Sequence, residues 1–294
     1  MPSNSNAPQP LAQAFALTLD SIDLKIISDS GQCFRWYALN PSEYLICDGS
    51  SAAIVAQSEP QKAVVKAAFG EPKDWHHYFD SAHHYTALES ALIAEDQRLK
   101  PIIEASRGLR LLNQDPLEIL VTFMMSANNH IPRIRSFMLR LCEGYGTELG
   151  QWQGRGVYGF PTLQKLASLT EQDYVALGAG YRGRYLAATM GRLSADPDYL
   201  NWHALEDTEL RERLMDLMGV GRKVADCVAL FGYGRWTSFP VDTWIKQLAV
   251  PWLDLPEKVA DRVVLEAFTR RYGDHRGLVQ QYLFYYYRIH GGLA

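Results

Sequence analysis

The sequence has few cysteines and no arrangement of them that would hold a metal ion. Cys33, Cys47, Cys142 and Cys227 are the only four in 294 residues, and no two of them form a Cys-x-x-Cys pair. Zinc and iron–sulfur sites use clustered thiolates, and disulfides are typical of oxidising compartments. We therefore predict a protein that has no metal site and works in a reducing compartment.

Long apolar runs are also lacking. No segment approaches the roughly 20 residues that a membrane-spanning helix needs, so we expect no membrane partner. The first ten residues are rich in proline, serine and asparagine and lack the basic and apolar regions of a signal peptide. This composition predicts a disordered tail at 1–10 and a protein that is not secreted.

An excess of positive charge is absent too. The 29 lysine and arginine residues are outnumbered by 33 aspartate and glutamate residues, which gives a formal net charge of -4. Proteins that coat nucleic acid without selectivity are usually basic. Any affinity for DNA must therefore come from a local concentration of charge, for which Arg222 and Lys223 are candidates.

The segment from Leu217 to Cys227 predicts a tight hairpin between two helices. Leucines at helical spacing indicate a helix over 208–217, and a second helix begins near 222, so that a helix-hairpin-helix covers 208–233. Gly219 and Gly221 permit positive φ and a close approach of the backbone to a ligand. Free amides at the start of the second helix would bind an anion such as phosphate. The two glycines alone are equally consistent with an ordinary glycine-capped hairpin.

Lys223 and Asp242 are the candidate catalytic residues. A lysine in the first turn of a helix, beside Arg222 and under an apolar cover, is pushed toward its neutral, nucleophilic form. The alternative is a solvated surface lysine. Asp242 follows Pro240 and precedes an apolar stretch, so it is predicted to cap a third helix whose dipole keeps the carboxylate ionised. Such a carboxylate can stabilise a developing cation.

The amino-terminal part of the chain and the part after Pro116 differ in the periodicity of their apolar residues. Three segments within 34–58 are rich in β-branched and aromatic residues and are separated by turn residues, which predicts an antiparallel meander. From Pro116 onward the periodicity is helical almost throughout. The predicted fold class is α+β, with an amino-terminal α+β domain at 11–112 and a helical domain at 113–294.

Motifs along most of the chain resemble those of one family. They are Gly-Gln-Cys-Phe-Arg-Trp at 31–36, Leu-Leu-Asn-Gln-Asp-Pro at 111–116, Ser-Ala-Asn-Asn at 126–129, Gly-Tyr-Arg at 180–182, the hairpin at 219–227, and Pro-Val-Asp at 240–242. Together they resemble the helix-hairpin-helix glycosylase superfamily and, within it, the 8-oxoguanine DNA glycosylases. The resemblance implies a small β-rich amino-terminal domain packed on a mostly α-helical glycosylase body.

The same resemblance implies which residues recognise the damaged base. The main-chain carbonyl of Gly31 would accept a hydrogen bond from the N7 hydrogen that 8-oxoguanine has and guanine lacks. Cys227 and Phe284 would sandwich the purine, and Gln280 would read its Watson–Crick edge. From spacing alone, Phe284 and Cys227 are interpreted as packing residues.

Contacts with DNA are implied as well. Asn128 would fill the gap left by the extruded nucleotide, Arg133 would contact the estranged cytosine, and Tyr181 would press into the opposite strand. An asparagine pair is otherwise more typical of a helix cap or turn. Trp244, where animal members carry a phosphate-binding histidine, and His130, in place of the last residue of an asparagine triplet, depart from the family pattern. The predicted DNA-binding residues are Asn128, Arg133, Tyr181, Arg182, Gly219, Gly221, Arg222 and Trp244.

The predicted function is excision of 8-oxoguanine from duplex DNA by a bifunctional glycosylase and abasic-site lyase. Lys223 would form a Schiff base with the sugar, and Asp242 would stabilise the cationic sugar. We expect a monomer that requires no cofactor, although the hairpin main chain could hold a monovalent cation. It would be located in the cytoplasm, with the nucleoid, of a prokaryote or in the nucleus of a eukaryote.

Three other functions stay open. A related glycosylase for another lesion, such as an alkylated purine, would use Asp242 without needing Lys223, Gln280 or Gly31. A non-catalytic helix-hairpin-helix DNA-binding protein would use the hairpin for phosphate alone. A Schiff-base enzyme for small metabolites, such as an aldolase, would show no salt-dependent affinity for duplex DNA.

Overall fold

The computed structural model describes residues 14–291, in which an antiparallel sheet precedes a helical body. The strands of the sheet are β1 (Phe15–Thr18), β2 (Trp36–Asn40), β3 (Glu43–Asp48), β4 (Ser51–Glu59) and β5 (Lys62–Gly70). Their order is β1-β5-β4-β3-β2, and all neighbours are antiparallel. The predicted meander is confirmed, and β5 and the edge strand β1 extend it. The tail predicted at 1–10 lies outside the described residues.

Helices make up most of the remaining chain. They are α1 (Leu24–Asp29), α2 (Trp75–Tyr78), α3 (Tyr85–Glu95), α4 (Lys100–Ala105), α5 (Pro116–Ser126), α6 (Ile131–Tyr145), α7 (Leu163–Ala167), α8 (Glu171–Ala176), α9 (Gly183–Ser194), α10 (Asp207–Met215), α11 (Arg222–Phe231), α12 (Thr243–Trp252), α13 (Asp261–Tyr272) and α14 (Arg276–His290). A short hairpin of β6 (Glu148–Trp152) and β7 (Arg155–Tyr158) interrupts them. The α+β fold class is confirmed.

The largest apolar cluster lies among the helices. Helix α5 runs through it, and every side chain from Glu118 to Met125 is buried. Helices α3 and α4 contribute Leu92 and Ile103 to this cluster, although both helices precede residue 112. The sheet has a core of its own around Trp36. Helices on both sides of residue 112 therefore contribute to one apolar cluster, and the predicted domain boundary stays a prediction.

A buried ion pair joins the sheet to α5. Arg35 Nε and Nη2 donate to the two carboxylate oxygens of Glu118 at 2.7 and 2.6 Å, and the side chains are only 1% and 7% exposed. Glu118 also accepts from the Gly49 N–H at 2.9 Å, and Arg35 Nη1 donates to the Tyr158 carbonyl at 2.9 Å. Paired charges with satisfied hydrogen bonds hold a fixed geometry. The start of β2 is thereby held against α5.

Candidate active site

The hairpin between α10 and α11 requires glycine at one of its two glycine positions. Gly219 has φ +83°, and a Cβ there would lie 2.8 Å from the Cβ and Cγ of Tyr185. Gly221 has φ −88°, is the N-cap of α11, and a Cβ there would meet nothing within 4 Å. The predicted start of the second helix at 222 is confirmed, and of the two glycines, which both permit positive φ, only Gly219 adopts it. Gly221 leaves the approach to the α11 amides open.

Lys223 lies in the first turn of α11 and lines a cavity of about 1050 Å³. Its side chain is half-buried, and its Nζ donates to Ser126 Oγ at 3.2 Å. The same Nζ lies 5.1 Å from the centroid of the Phe123 ring. The side chain therefore points into the protein rather than into bulk solvent, which excludes the solvated-lysine alternative.

Arg222 lies next to Lys223, and its positive charge was expected to favour the neutral form of that lysine. Its Nε lies 3.3 Å from Asp226 Oδ2, one helical turn later, while half of its side chain stays exposed. Asp226 is buried and also accepts from Arg211 Nε at 2.8 Å. Because the two arginines share this carboxylate, part of the positive charge of Arg222 is already compensated. Its exposed fraction faces solvent beside the hairpin.

Asp242 is the N-cap of α12, as predicted, and accepts a hydrogen bond from the Ile245 N–H at 2.8 Å. It lines the same cavity as Lys223. Burial raises the pKa of this carboxyl group above its ordinary value, although the bond from Ile245 and the charge of Lys223 act in the opposite direction. Its place as the N-cap of α12 is confirmed, and desolvation has a larger effect on its pKa than the hydrogen bonds at the helix start. That the carboxylate is ionised stays a prediction.

Gly31 and Phe284 form part of the cavity wall. Gly31 has φ +81°, and a Cβ there would lie 3.1 Å from Phe284 Cε1. Side chains of two helices hold the segment before Gly31 by its carbonyls. Gln281 Nε2 donates to Ser30 O at 2.8 Å, Arg288 Nη1 to Asp29 O at 2.5 Å, and Arg135 Nη2 to Ser28 O at 3.0 Å. Sequence reasoning missed these three, because nothing local to each residue shows its distant partner.

Cys227 and Gln280 are buried and do not line the cavity surface itself. Burial raises the pKa of the Cys227 thiol to about 12, so the thiol is neutral at physiological pH. Gln280 is 4% exposed and donates through Nε2 to the Pro240 carbonyl at 3.4 Å. Its Oε1 accepts no hydrogen bond from the described residues. A buried acceptor without a donor is costly, and a ligand that supplies a donor would relieve that cost.

Three predicted DNA-binding residues are exposed, and two of them, Asn128 and Trp244, line the cavity. Asn128 follows α5 with φ +48°, and Trp244 and Tyr181 are each 54% exposed. Trp244 packs on Tyr287 with ring centroids 5.3 Å apart. Asn129 is a helix cap, the alternative given above for the asparagine pair. Its Nδ2 donates to the Met125 carbonyl at 3.0 Å at the end of α5. The exposed Arg133 lies on the first turn of α6.

Arg182 is buried, whereas it was predicted to contact DNA directly. It is 4% exposed, and its guanidinium donates to the carbonyls of Ala127 and Asn128, the latter at 3.0 Å. The Arg182 guanidinium also lies 4.4 Å from the Tyr181 ring centroid. Arg182 thus fixes the loop that carries Asn128, which differs from the predicted direct contact with DNA.

Residues 14–291 contain neither a metal-binding cluster nor a membrane-spanning helix. No group of three or more histidine, cysteine, aspartate or glutamate side chains is placed to hold a metal ion in this range. Among the helices described, none combines the length and the apolar character of a transmembrane span.

Comparisons with known proteins agree with one another. The family model of the 8-oxoguanine DNA glycosylase N-terminal domain matches residues 14–120. The N-glycosylase/DNA lyase OGG1 of Arabidopsis thaliana is 32% identical over 91% of this chain and 78% of its own length. A probable N-glycosylase/DNA lyase of Methanothermobacter thermautotrophicus is 30% identical over 72% of each chain. The 8-oxoguanine glycosylase/lyase of Clostridium acetobutylicum, solved with double-stranded DNA containing cytosine opposite 8-oxoguanine, superposes with a TM-score of 0.87 at 33% identity, over 96% of this chain and 98% of that chain.

Proposed function

The chain belongs to the 8-oxoguanine DNA glycosylase family, and from that membership we propose that it removes 8-oxoguanine from double-stranded DNA as a bifunctional N-glycosylase and DNA lyase. One observation carries the assignment of residues. Lys223 and Asp242 line a single cavity whose wall includes Gly31 and Phe284. An amine, a carboxylate, a main-chain carbonyl and an aromatic face are the groups that this reaction needs together.

Lys223 is the nucleophile in this proposal. Its neutral amine attacks the anomeric carbon of the deoxyribose, the N-glycosidic bond breaks, and the base leaves with the bonding electrons and takes up a proton. Loss of the amine's protons and opening of the sugar ring give a Schiff base. Removal of a proton from C2′ then breaks the C3′–O bond and leaves a 5′-phosphate on the downstream strand.

Asp242 stabilises the positive charge that develops on the sugar. The burial that raises the pKa of its carboxyl group also lowers the local dielectric constant. In such a place a carboxylate attracts a cationic sugar more strongly than it would in water. The hydrogen bond from the Ile245 N–H keeps the carboxylate facing the cavity at the start of α12.

Four residues select the base. The Gly31 carbonyl accepts the N7 hydrogen of 8-oxoguanine, and Phe284 and Cys227 enclose the purine. Gln280 is supported by its buried Oε1, which lacks a donor among the described residues and would gain one from the purine edge. A normal guanine would leave the Gly31 carbonyl facing the N7 acceptor, a mismatch of about 1–3 kcal/mol.

The proposed contacts with DNA follow the family resemblance, and the exposure of the residues supports them. Asn128 enters the gap left by the base, Arg133 contacts the estranged cytosine, and Tyr181 presses between bases of the opposite strand. The hairpin at 219–222 and the exposed ring of Trp244 face the damaged strand, where the free amides of α11 hold a phosphate.

The remaining expectations stay predictions. The enzyme is proposed to act as a monomer without a required cofactor, in the cytoplasm of a prokaryote or the nucleus of a eukaryote. A monovalent cation could be held by hairpin carbonyls. The Leu217 carbonyl accepts from the Val220 N–H and the Met218 carbonyl from the Thr189 hydroxyl, and each keeps a second lone pair. No step of the reaction depends on such an ion.

Borohydride trapping on a duplex with 8-oxoguanine opposite cytosine tests the proposal. Wild type should give a covalent adduct, and Lys223→Gln should give none while it still binds the duplex. Lys100→Gln is the control, since Lys100 also lies in the first turn of a helix but is exposed and away from the cavity. An adduct that persists in Lys223→Gln, or turnover only on alkylated purines, would contradict the assignment.

A further inference from the structure

The last residue of α5, Ser126, contacts the proposed nucleophile. Its Oγ donates to the carbonyl of Phe123 at 2.7 Å, and Lys223 Nζ lies 3.2 Å from the same oxygen. A serine hydroxyl has one hydrogen and two lone pairs. Because the hydrogen is used on the Phe123 carbonyl, Ser126 accepts in the second contact and Lys223 donates.

Helix α5 also holds the amine through an aromatic ring. Lys223 Nζ lies 5.1 Å from the centroid of Phe123, whose side chain is 4% exposed. Phe34 packs edge-on against this ring at 5.9 Å and Phe231 stacks on it at 5.5 Å. These two neighbours hold the Phe123 ring in place. The Lys223 amine therefore lies between a fixed aromatic face and the fixed hydroxyl oxygen of Ser126.

We infer that Ser126 is a positioning residue for Lys223, a role that rests on the proposed function. An amine that gives one hydrogen to Ser126 keeps its lone pair for the sugar carbon. Without the hydroxyl, a long and flexible side chain would sample many rotamers, and only a fraction would place nitrogen near the anomeric carbon. Ser126 would thus raise the rate of the chemical step and contribute little to the binding of DNA.

A purely structural role predicts something different. If Ser126 only caps the end of α5, loss of its hydroxyl should lower the stability of the protein and should not change the rate of the chemical step. The chain offers a matched control in Ser168, whose Oγ donates to the Lys165 carbonyl at 2.7 Å, also three residues earlier and at the end of a helix. Ser168 is exposed and lies away from the cavity.

The test compares single-turnover excision, DNA affinity and Tm for Ser126→Ala, Ser126→Thr and Ser168→Ala. The single-turnover rate of Ser126→Ala should fall on the order of tenfold, the size expected for one hydrogen bond, with Kd within about twofold of wild type. The Ser126→Thr variant keeps a hydroxyl and should recover most of the rate, and Ser168→Ala should match wild type in rate.

Each outcome decides the question. An unchanged rate in Ser126→Ala, or a loss that Ser126→Thr does not restore, overturns the inference while the proposed function stands. Equal losses of Tm in both alanine variants with no loss of rate would assign Ser126 to helix capping. A wild type that gives no adduct with borohydride overturns the proposed function itself.

Discussion

Replacing Asp242 with asparagine should make the protein more stable while it abolishes activity. Folding buries the carboxyl group and raises its pKa, so that the ionised form is less favourable in the folded chain than in the unfolded one. Asparagine has nearly the same shape and is an equally good N-cap, and the hydrogen bond from the Ile245 N–H is retained. The substitution removes the unfavourable charge and leaves the helix start intact.

The sign and size of this effect depend on pH. A raised folded-state pKa means that the favourable contribution of Asp242 is complete below its unfolded pKa of about 3.9 and is lost as pH rises through the folded pKa. A tenfold change in the acid dissociation constant on folding corresponds to about 1.4 kcal/mol. The advantage of Asp242→Asn over wild type should therefore be near zero at low pH and grow as pH rises, and its plateau at neutral pH measures the change in the acid dissociation constant by that conversion.

Urea and thermal unfolding of both proteins at several pH values between about 4 and 8 would measure the difference, in which all other titrating groups cancel. Asp173→Asn is the control with opposite sign. Hydrogen bonds from Thr170 lower the pKa of Asp173, so that its contribution is present above the unfolded pKa and is lost as pH falls. If Asp242→Asn were less stable than wild type at neutral pH, or if the gain did not grow with pH, the reasoning would be refuted.

Two further changes probe the buried ion pair and the wall of the cavity. Arg35→Met leaves the Glu118 carboxylate buried without a cation, so urea unfolding should show a loss of about 3–5 kcal/mol, and no loss would contradict the buried pair. Gly31→Ala must hold φ +81° with a Cβ 3.1 Å from Phe284, so excision should slow by about tenfold or more along with a stability loss of roughly 1–2 kcal/mol. Gly154→Ala, with φ +77° and nothing within 4 Å, should lose similar stability but excise at the wild-type rate.

Local chemistry explains what the sequence could predict. The start of α11 at 222 and the cap at Asp242 depend on a few adjacent residues, and both were predicted correctly. Strand β5 was missed because its alternation uses alanine and lysine, such as Ala63 and Lys66, as much as larger β-formers. Local patterns decide where an element begins better than they decide which strands join a sheet.

Features set by distant partners could not be predicted in this way. Arg182 has a residue type suited to phosphate, yet its burial depends on carbonyls of the Ala127 loop. The direction of the Asp242 pKa shift depends on the depth of the cavity, which the sequence does not show. Ser126 is a common residue at a helix end, and only the fold brings Lys223 to it.

The tie between Arg35 and Glu118 has a consequence for how the enzyme gains activity during folding. By the proposed roles, the carbonyl that recognises the base belongs to Gly31, near the beginning of the chain, whereas the amine of Lys223 and the carboxylate of Asp242 belong to the later part. Neither portion alone can distinguish a lesion and act on it. By the proposed roles, a fragment that lacks either portion should therefore fail to excise 8-oxoguanine selectively, because it lacks either the recognising carbonyl or the reacting groups.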